Sequence, residues 1–152
     1  MKKLDAFTIL ELIVILAIMS ILFMFLTFRL NLKEKFEEDK EIKILINDIK
    51  TIRNLSIKNK ASSYIYIDKY NNKYTVKSFD YIKEVKLNYL KILSYSGKDS
   101  NIDFNRNGVS LNPKTIYLKS KNYNYEISIS VATSKINLKK ERKWKRQEDL
   151  HI

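Results

Sequence analysis

Apolar side chains run almost unbroken from Phe7 to Leu30, and only Ser20 and Thr27 interrupt them between Leu12 and Phe28. As a helix rising about 1.5 Å per residue, Phe7 to Phe28 would span roughly 33 Å, enough to cross a hydrocarbon layer of about 30 Å. Residues 31–41 then turn densely charged, and the stretch from Lys33 to Lys43 is expected to face solvent. Next, Ile42, Leu45, Ile46, Ile49, Ile52 and Leu55 recur at spacings of three and four, the single apolar face of a helix laid on a core. No Gly or Pro falls between Phe7 and Ser96. One continuous helix is therefore expected from about Phe7 to about Lys58, hydrophobic all round at first and amphipathic at its end.

Beyond Lys58 the period shortens to two. Ser63–Asp68 and Lys73–Phe79 alternate on either side of Lys69–Asn72 and predict a hairpin. The stretch Val85–Tyr95 mixes β-branched and aromatic residues and predicts strand, Ser96–Ser100 a loop, and Asn101–Phe104 a short strand. Asn105–Gly108 reads as a turn in which the glycine supplies a positive φ. Thr115–Ser120 and Tyr125–Val131 alternate around Lys121–Asn124, and Lys135–Leu138 follows as a last short strand. From Lys139 the chain is polar and is expected to fray. The expected fold class is α+β, a long N-terminal helix, half transmembrane and half amphipathic, packed on a small antiparallel β-sheet head. The divisions are residues 1–6 as a basic leader, 7–30 the transmembrane part of the helix, 31–60 its amphipathic part, 61–138 the head, and 139–152 a basic tail.

Charge and composition narrow the chemistry. Lys and Arg number 29 against 17 Asp and Glu, a formal net charge of +12, which favours anionic surroundings such as lipid headgroups or nucleic acid. There is no Cys and the one His is His151, so zinc sites and Cys/His or Ser/His/Asp catalysis lack raw material. No paired carboxylates or nucleophile stand in a catalytic spacing; no enzyme, cofactor or metal is expected. The strand tyrosines read as core and cross-strand packing.

The membrane segment carries the more specific signal. Lys2 and Lys3 precede it, and the positive-inside rule sets the N-terminus in the cytoplasm with the head across the membrane. A cleaved secretory signal would need small residues after the apolar core, and none follow Phe28 in an A-x-A pattern. Glu11 stands near the start of the run, where an unpaired charge costs about 2.5–3.5 kcal/mol on insertion. A carboxylate held at that cost points to a partner. Ser20 and Thr27 can satisfy their hydroxyls on carbonyls one turn earlier, and Arg29 marks the outer boundary.

The sequence Ala6-Phe7-Thr8-Ile9-Leu10-Glu11, after a basic leader and before a long apolar helix, resembles the class III signal of type IV pilins and type II secretion pseudopilins. Ala6 stands where that family usually has Gly. The resemblance implies cleavage between Ala6 and Phe7 by a prepilin peptidase, N-methylation of Phe7, and an assembly role for Glu11 against the new α-amine of a neighbouring subunit. A second resemblance covers the head. Asn47–Lys58 followed by a two-stranded element, and Ile102-Asp-Phe104 with Gly108 before a terminal hairpin, are similar to the minor pseudopilin H and FimT group, with Thr133–Ile136 where members carry a Gly-Arg-Ile-like strand. The implied function is a minor pilin or pseudopilin, stored as a single-pass membrane protein and extracted into a type IV pilus or a type II secretion pseudopilus, as a tip or initiating subunit. Its implied partners are other pilins, the prepilin peptidase, the assembly platform and the cytoplasmic membrane. The alternative is a DNA-binding minor pilin for DNA uptake in transformation. Its candidate contacts are Lys139, Lys140, Arg142, Lys143, Trp144, Lys145 and Arg146, with the indole available to stack on a base. A solvated or membrane-surface tail is the simpler expectation for the same residues.

Overall fold

In a computed structural model the described residues are 9–112, 114–130 and 135–143. The chain forms two compact units that divide between Glu37 and Glu38. One helix, α1 (Ile9–Asn59), passes through both. Its unbroken course follows from the absence of any helix breaker before Ser96.

Eight strands follow: β1 (Ser63–Asp68), β2 (Lys73–Lys77), β3 (Ile82–Lys86), β4 (Lys91–Tyr95), β5 (Asn101–Phe104), β6 (Lys114–Lys119), β7 (Tyr123–Ile129) and β8 (Ile136–Arg142). The hairpins β1–β2 and β6–β7 stand where alternation puts them. The strands divide between two four-stranded antiparallel sheets, ordered β3-β2-β1-β5 and β4-β6-β7-β8. The expected strand over Val85–Tyr95 is two, β3 and β4, separated by Leu87–Leu90 and assigned to different sheets. The side chain of Asn72 sets that break. Asn72, at φ +52°, donates through Nδ2 to the carbonyls of Leu87 (2.8 Å) and Leu90 (2.7 Å), and its Oδ1 accepts from Ile92 N at 2.8 Å.

The core of the head joins α1 to both sheets. Ile42, Leu45, Ile49 and Ile52 are buried with Ile65, Val76, Ile102 and Phe104 of the first sheet and Ile116, Leu118, Ile127 and Ile129 of the second. Each such side chain contributes about 1.5–3 kcal/mol by leaving water. Ile46 and Leu55 flank the same face, half-buried.

Two expectations are corrected. The stretch from Lys33 to Lys43 is not uniformly solvated, because Glu38 is 3% exposed. Lys139–Arg142 do not fray: they extend β8, pairing residue by residue with Glu126, Tyr125, Asn124 and Tyr123. An edge strand needs backbone partners and not an apolar face, so a basic sequence can occupy it.

Gly108 ties the β5 turn to the helix. It has φ +71°, and a Cβ there would come within 2.6 Å and 2.7 Å of the Ile57 side chain and 3.3 Å of Arg53 Cγ. Arg53 Nε also donates to the Gly108 carbonyl at 3.0 Å. Gly97, at φ +86°, has open space around the same position. Gly108→Ala is expected to cost about 2–4 kcal/mol, strain plus displacement of Ile57, and Gly97→Ala about 1–2 kcal/mol from strain alone. Denaturant unfolding of the two variants measures the difference.

Candidate functional site

The N-terminal unit begins, among described residues, at Ile9, so Ala6 and Phe7 lie outside them. Glu11 sits in the first turn of α1. Around it the helix is apolar on every side: Ile9–Leu26 has a mean hydropathy of 2.9 and none of it is buried. Ile9, Phe23 and Met24 are each at least 70% exposed. A helix this long and this apolar can cross a bilayer, and its side chains need lipid or other helices around them. Within it Ser20 Oγ donates to the Leu16 carbonyl at 2.8 Å, as expected of a hydroxyl in an apolar helix.

In the head, three carboxylates on α1 fix the strands, and periodicity did not reveal them. Asp48, 4% exposed, accepts from Tyr74 Oη at 2.8 Å and from Lys83 Nζ at 2.7 Å and 2.8 Å. Burial and the Asp48 carboxylate hold the Tyr74 hydroxyl well above its ordinary pKa, so it remains a donor. Glu41 receives the backbone N–H groups of Asn88 (2.7 Å), Tyr89 (3.1 Å) and Leu90 (3.0 Å), satisfying the loop between β3 and β4. Glu38 accepts from Tyr125 Oη at 3.4 Å. The available signal was an acid spaced on the apolar stripe, since Asp48 adjoins Ile49 and Glu38 lies four residues before Ile42.

β8 gathers the described part of the basic segment on one sheet edge. Lys140 pairs with Asp39 of α1 at 2.9 Å, and its ammonium lies 4.3 Å from the Tyr123 ring centroid and 5.2 Å from that of Tyr125. Burial opposes its charge, but the Asp39 carboxylate and Tyr125 hydroxyl outweigh that and raise its pKa. Lys139 pairs with Glu141 at 2.7 Å, and Lys143 donates to the Ser120 carbonyl. Arg142 is exposed opposite Tyr123. Trp144, Lys145 and Arg146 lie outside the described residues. Three of the four described cations are thus engaged within the head, two of them in ion pairs. The strand is a fastening of the second sheet to α1 before it is an anion surface.

No protein-family model and no curated protein sequence matches the chain. Among solved structures it is similar to the type IV minor pilin FimU of Pseudomonas aeruginosa, with 15% sequence identity and a TM-score of 0.51, over 68% of this chain and 92% of that one. With an N-terminal helix of membrane-spanning length and a head of antiparallel sheets, the chain has a type IV pilin-like α+β fold.

Proposed function

We propose that the chain is a minor pilin or pseudopilin, stored in the membrane by its N-terminal helix and assembled into a short filament as a tip or initiating subunit. The observation that carries this reading is the unburied apolar run Ile9–Leu26 with Glu11 inside it, continuous through α1 with a head that has a pilin-like fold. A plain membrane anchor gives no reason for a carboxylate within its apolar run. A subunit that must leave the bilayer and find one register among its neighbours does, since a buried opposite charge fixes which residue lies against which.

In this reading Lys2 and Lys3 keep the N-terminus in the cytoplasm, a prepilin peptidase cuts between Ala6 and Phe7, and Phe7 is then N-methylated. The platform protein and other pilins are its assembly partners. Ala6 is small enough for the extended backbone to enter a protease cleft. Ala6→Leu is expected to stop leader removal when the chain is produced beside a prepilin peptidase, leaving only the full-length band on a gel. Cleavage of Ala6→Leu at the wild-type rate would remove this part of the account.

The reading as a DNA-uptake pilin draws less support, because Lys139, Lys140 and Lys143 already have partners in the head.

A further inference from the structure

A groove of about 280 Å³ opens where β1 and its turn meet the connection from β4 to β5. Tyr66, Tyr70, Tyr95, Asp68, Ser94 and Ser100 line it. Tyr95 backs onto the core, and the other five take no part in it or in the ties between α1 and the strands. Three aromatic rings around one small cavity are more than cross-strand packing requires. Tyr70 is 98% exposed and Tyr66 43%, so both offer ring faces to solvent at a site rich in hydroxyls.

Both walls are held in place. On one side, Asp68 accepts from Asn71 N at 3.0 Å and from Asn71 Nδ2 at 2.7 Å, which shapes the turn that carries Tyr70. These bonds hold its carboxyl below the usual aspartate range. On the other side, Lys114, 3% exposed, donates to the Asp99 carbonyl and places its ammonium 5.2 Å from the Tyr95 ring centroid. Ser96 N donates to the Thr115 carbonyl at 2.9 Å, and Thr115 N to Ser96 Oγ at 2.8 Å, so the connection is pinned to β6 as well. A groove with fixed walls loses little freedom when it is filled.

Charge selects the class of ligand. The lining carries Asp68 and Lys69, one of each sign, and the two Asp68 oxygens are already occupied by Asn71. An ammonium would meet a satisfied carboxylate beside a lysine, and an anion would meet that carboxylate. A neutral molecule with apolar ring faces and many hydroxyls matches the rest: its faces lie on tyrosine rings and its hydroxyls meet those of Ser94 and Ser100. We propose that the groove lined by Tyr66, Tyr70 and Tyr95 is a binding site for a neutral carbohydrate, one or two sugar units long.

The test uses the full chain in phosphatidylglycerol nanodiscs, which present neither sugar headgroups nor choline. Calorimetric titrations with chitotriose, maltotriose and choline are run on the wild type and on Tyr66→Ala, Tyr70→Ala and Tyr89→Ala. Tyr70→Ala removes a fully exposed side chain and leaves folding intact; Tyr89, 40% exposed and outside the groove, is the control. The expected result is saturable binding of at least one sugar, weakened about tenfold by Tyr66→Ala and by Tyr70→Ala and unchanged in Tyr89→Ala. Binding of neither sugar overturns the proposal. So does binding of choline alone, which would make the groove an amine cage, or sugar binding that Tyr70→Ala leaves at wild-type strength.

Discussion

A Glu11→Ala chain is expected to enter the membrane and lose its leader normally, and to fall at least tenfold in the assembled filament. The substitution removes a charge whose insertion costs about 2.5–3.5 kcal/mol, so the membrane-stored subunit becomes easier to make. Assembly should move the other way. In the proposed reading cleavage exposes the α-amine of Phe7, and a filament would place that amine and a carboxylate among apolar helices, where an unpaired charge costs about 3–5 kcal/mol. Glu11→Gln separates charge from size. It keeps the length of the side chain and its hydrogen-bonding capacity, and it should be nearly as defective as Glu11→Ala if pairing sets the register. Quantifying the subunit in sheared filaments and in membranes from the same cells gives both numbers. Wild-type amounts of Glu11→Ala in filaments would contradict the role assigned to Glu11.

Asp48→Ala is expected to lower the stability of the head by about 2–4 kcal/mol, a fall in melting temperature on the order of 10 °C. The variant leaves the Tyr74 hydroxyl buried without its acceptor at 2.8 Å, and Lys83 without its carboxylate. Lys83 is 36% exposed at its side chain and can turn to water, which is why the estimate stays below the largest values for broken buried pairs. Lys83→Ala should cost less than Asp48→Ala, because Tyr74 still donates to the carboxylate. The double variant should cost less than the sum, and that shortfall measures the coupling of Asp48 to Lys83. Alkaline pH probes the same contact. Folding raises the Tyr74 pKa above its ordinary 10.0. Its contribution is therefore complete below that pH, and it is lost as the pH rises and the unfolded chain ionises the phenol that the head keeps neutral. A loss of under 1 kcal/mol in Asp48→Ala would mean that the apolar face alone holds α1 to the first sheet.

Local pattern carried much of this architecture. Ile42, Leu45, Ile49 and Ile52 announce the buried face of α1 because a helix returns to one side every three or four residues. The β1–β2 and β6–β7 hairpins are legible because their strands alternate and their turns are short. What joins distant parts of the chain was not legible. β1 pairs with β5 across three intervening strands, and nothing in Ser63–Asp68 or Asn101–Phe104 says that they meet. The division into two sheets depends on Asn72 reaching the carbonyls of Leu87 and Leu90, a contact no periodicity encodes.

The charged residues show the same limit. Lys139–Arg142 have the composition of a solvated tail, yet β7 offers them a backbone partner, and Asp39 with two tyrosine rings receives Lys140. Glu38, Glu41 and Asp48 read as the polar side of a helix, and each takes a donor from the head instead. The tyrosines divide: Tyr74 and Tyr125 are buried as packing predicts, while Tyr66 and Tyr70 face a groove. The N-terminal motif carries the most specific expectation for function, because an acid in a membrane run is anomalous by its chemistry alone.

Mass spectrometry of the mature protein, purified from cells that make it, tests the central claim most directly. The account predicts a polypeptide whose N-terminal residue is Phe7 and carries one added methyl group on its α-amine. An N-terminus that still carries residues 1–6 would contradict it.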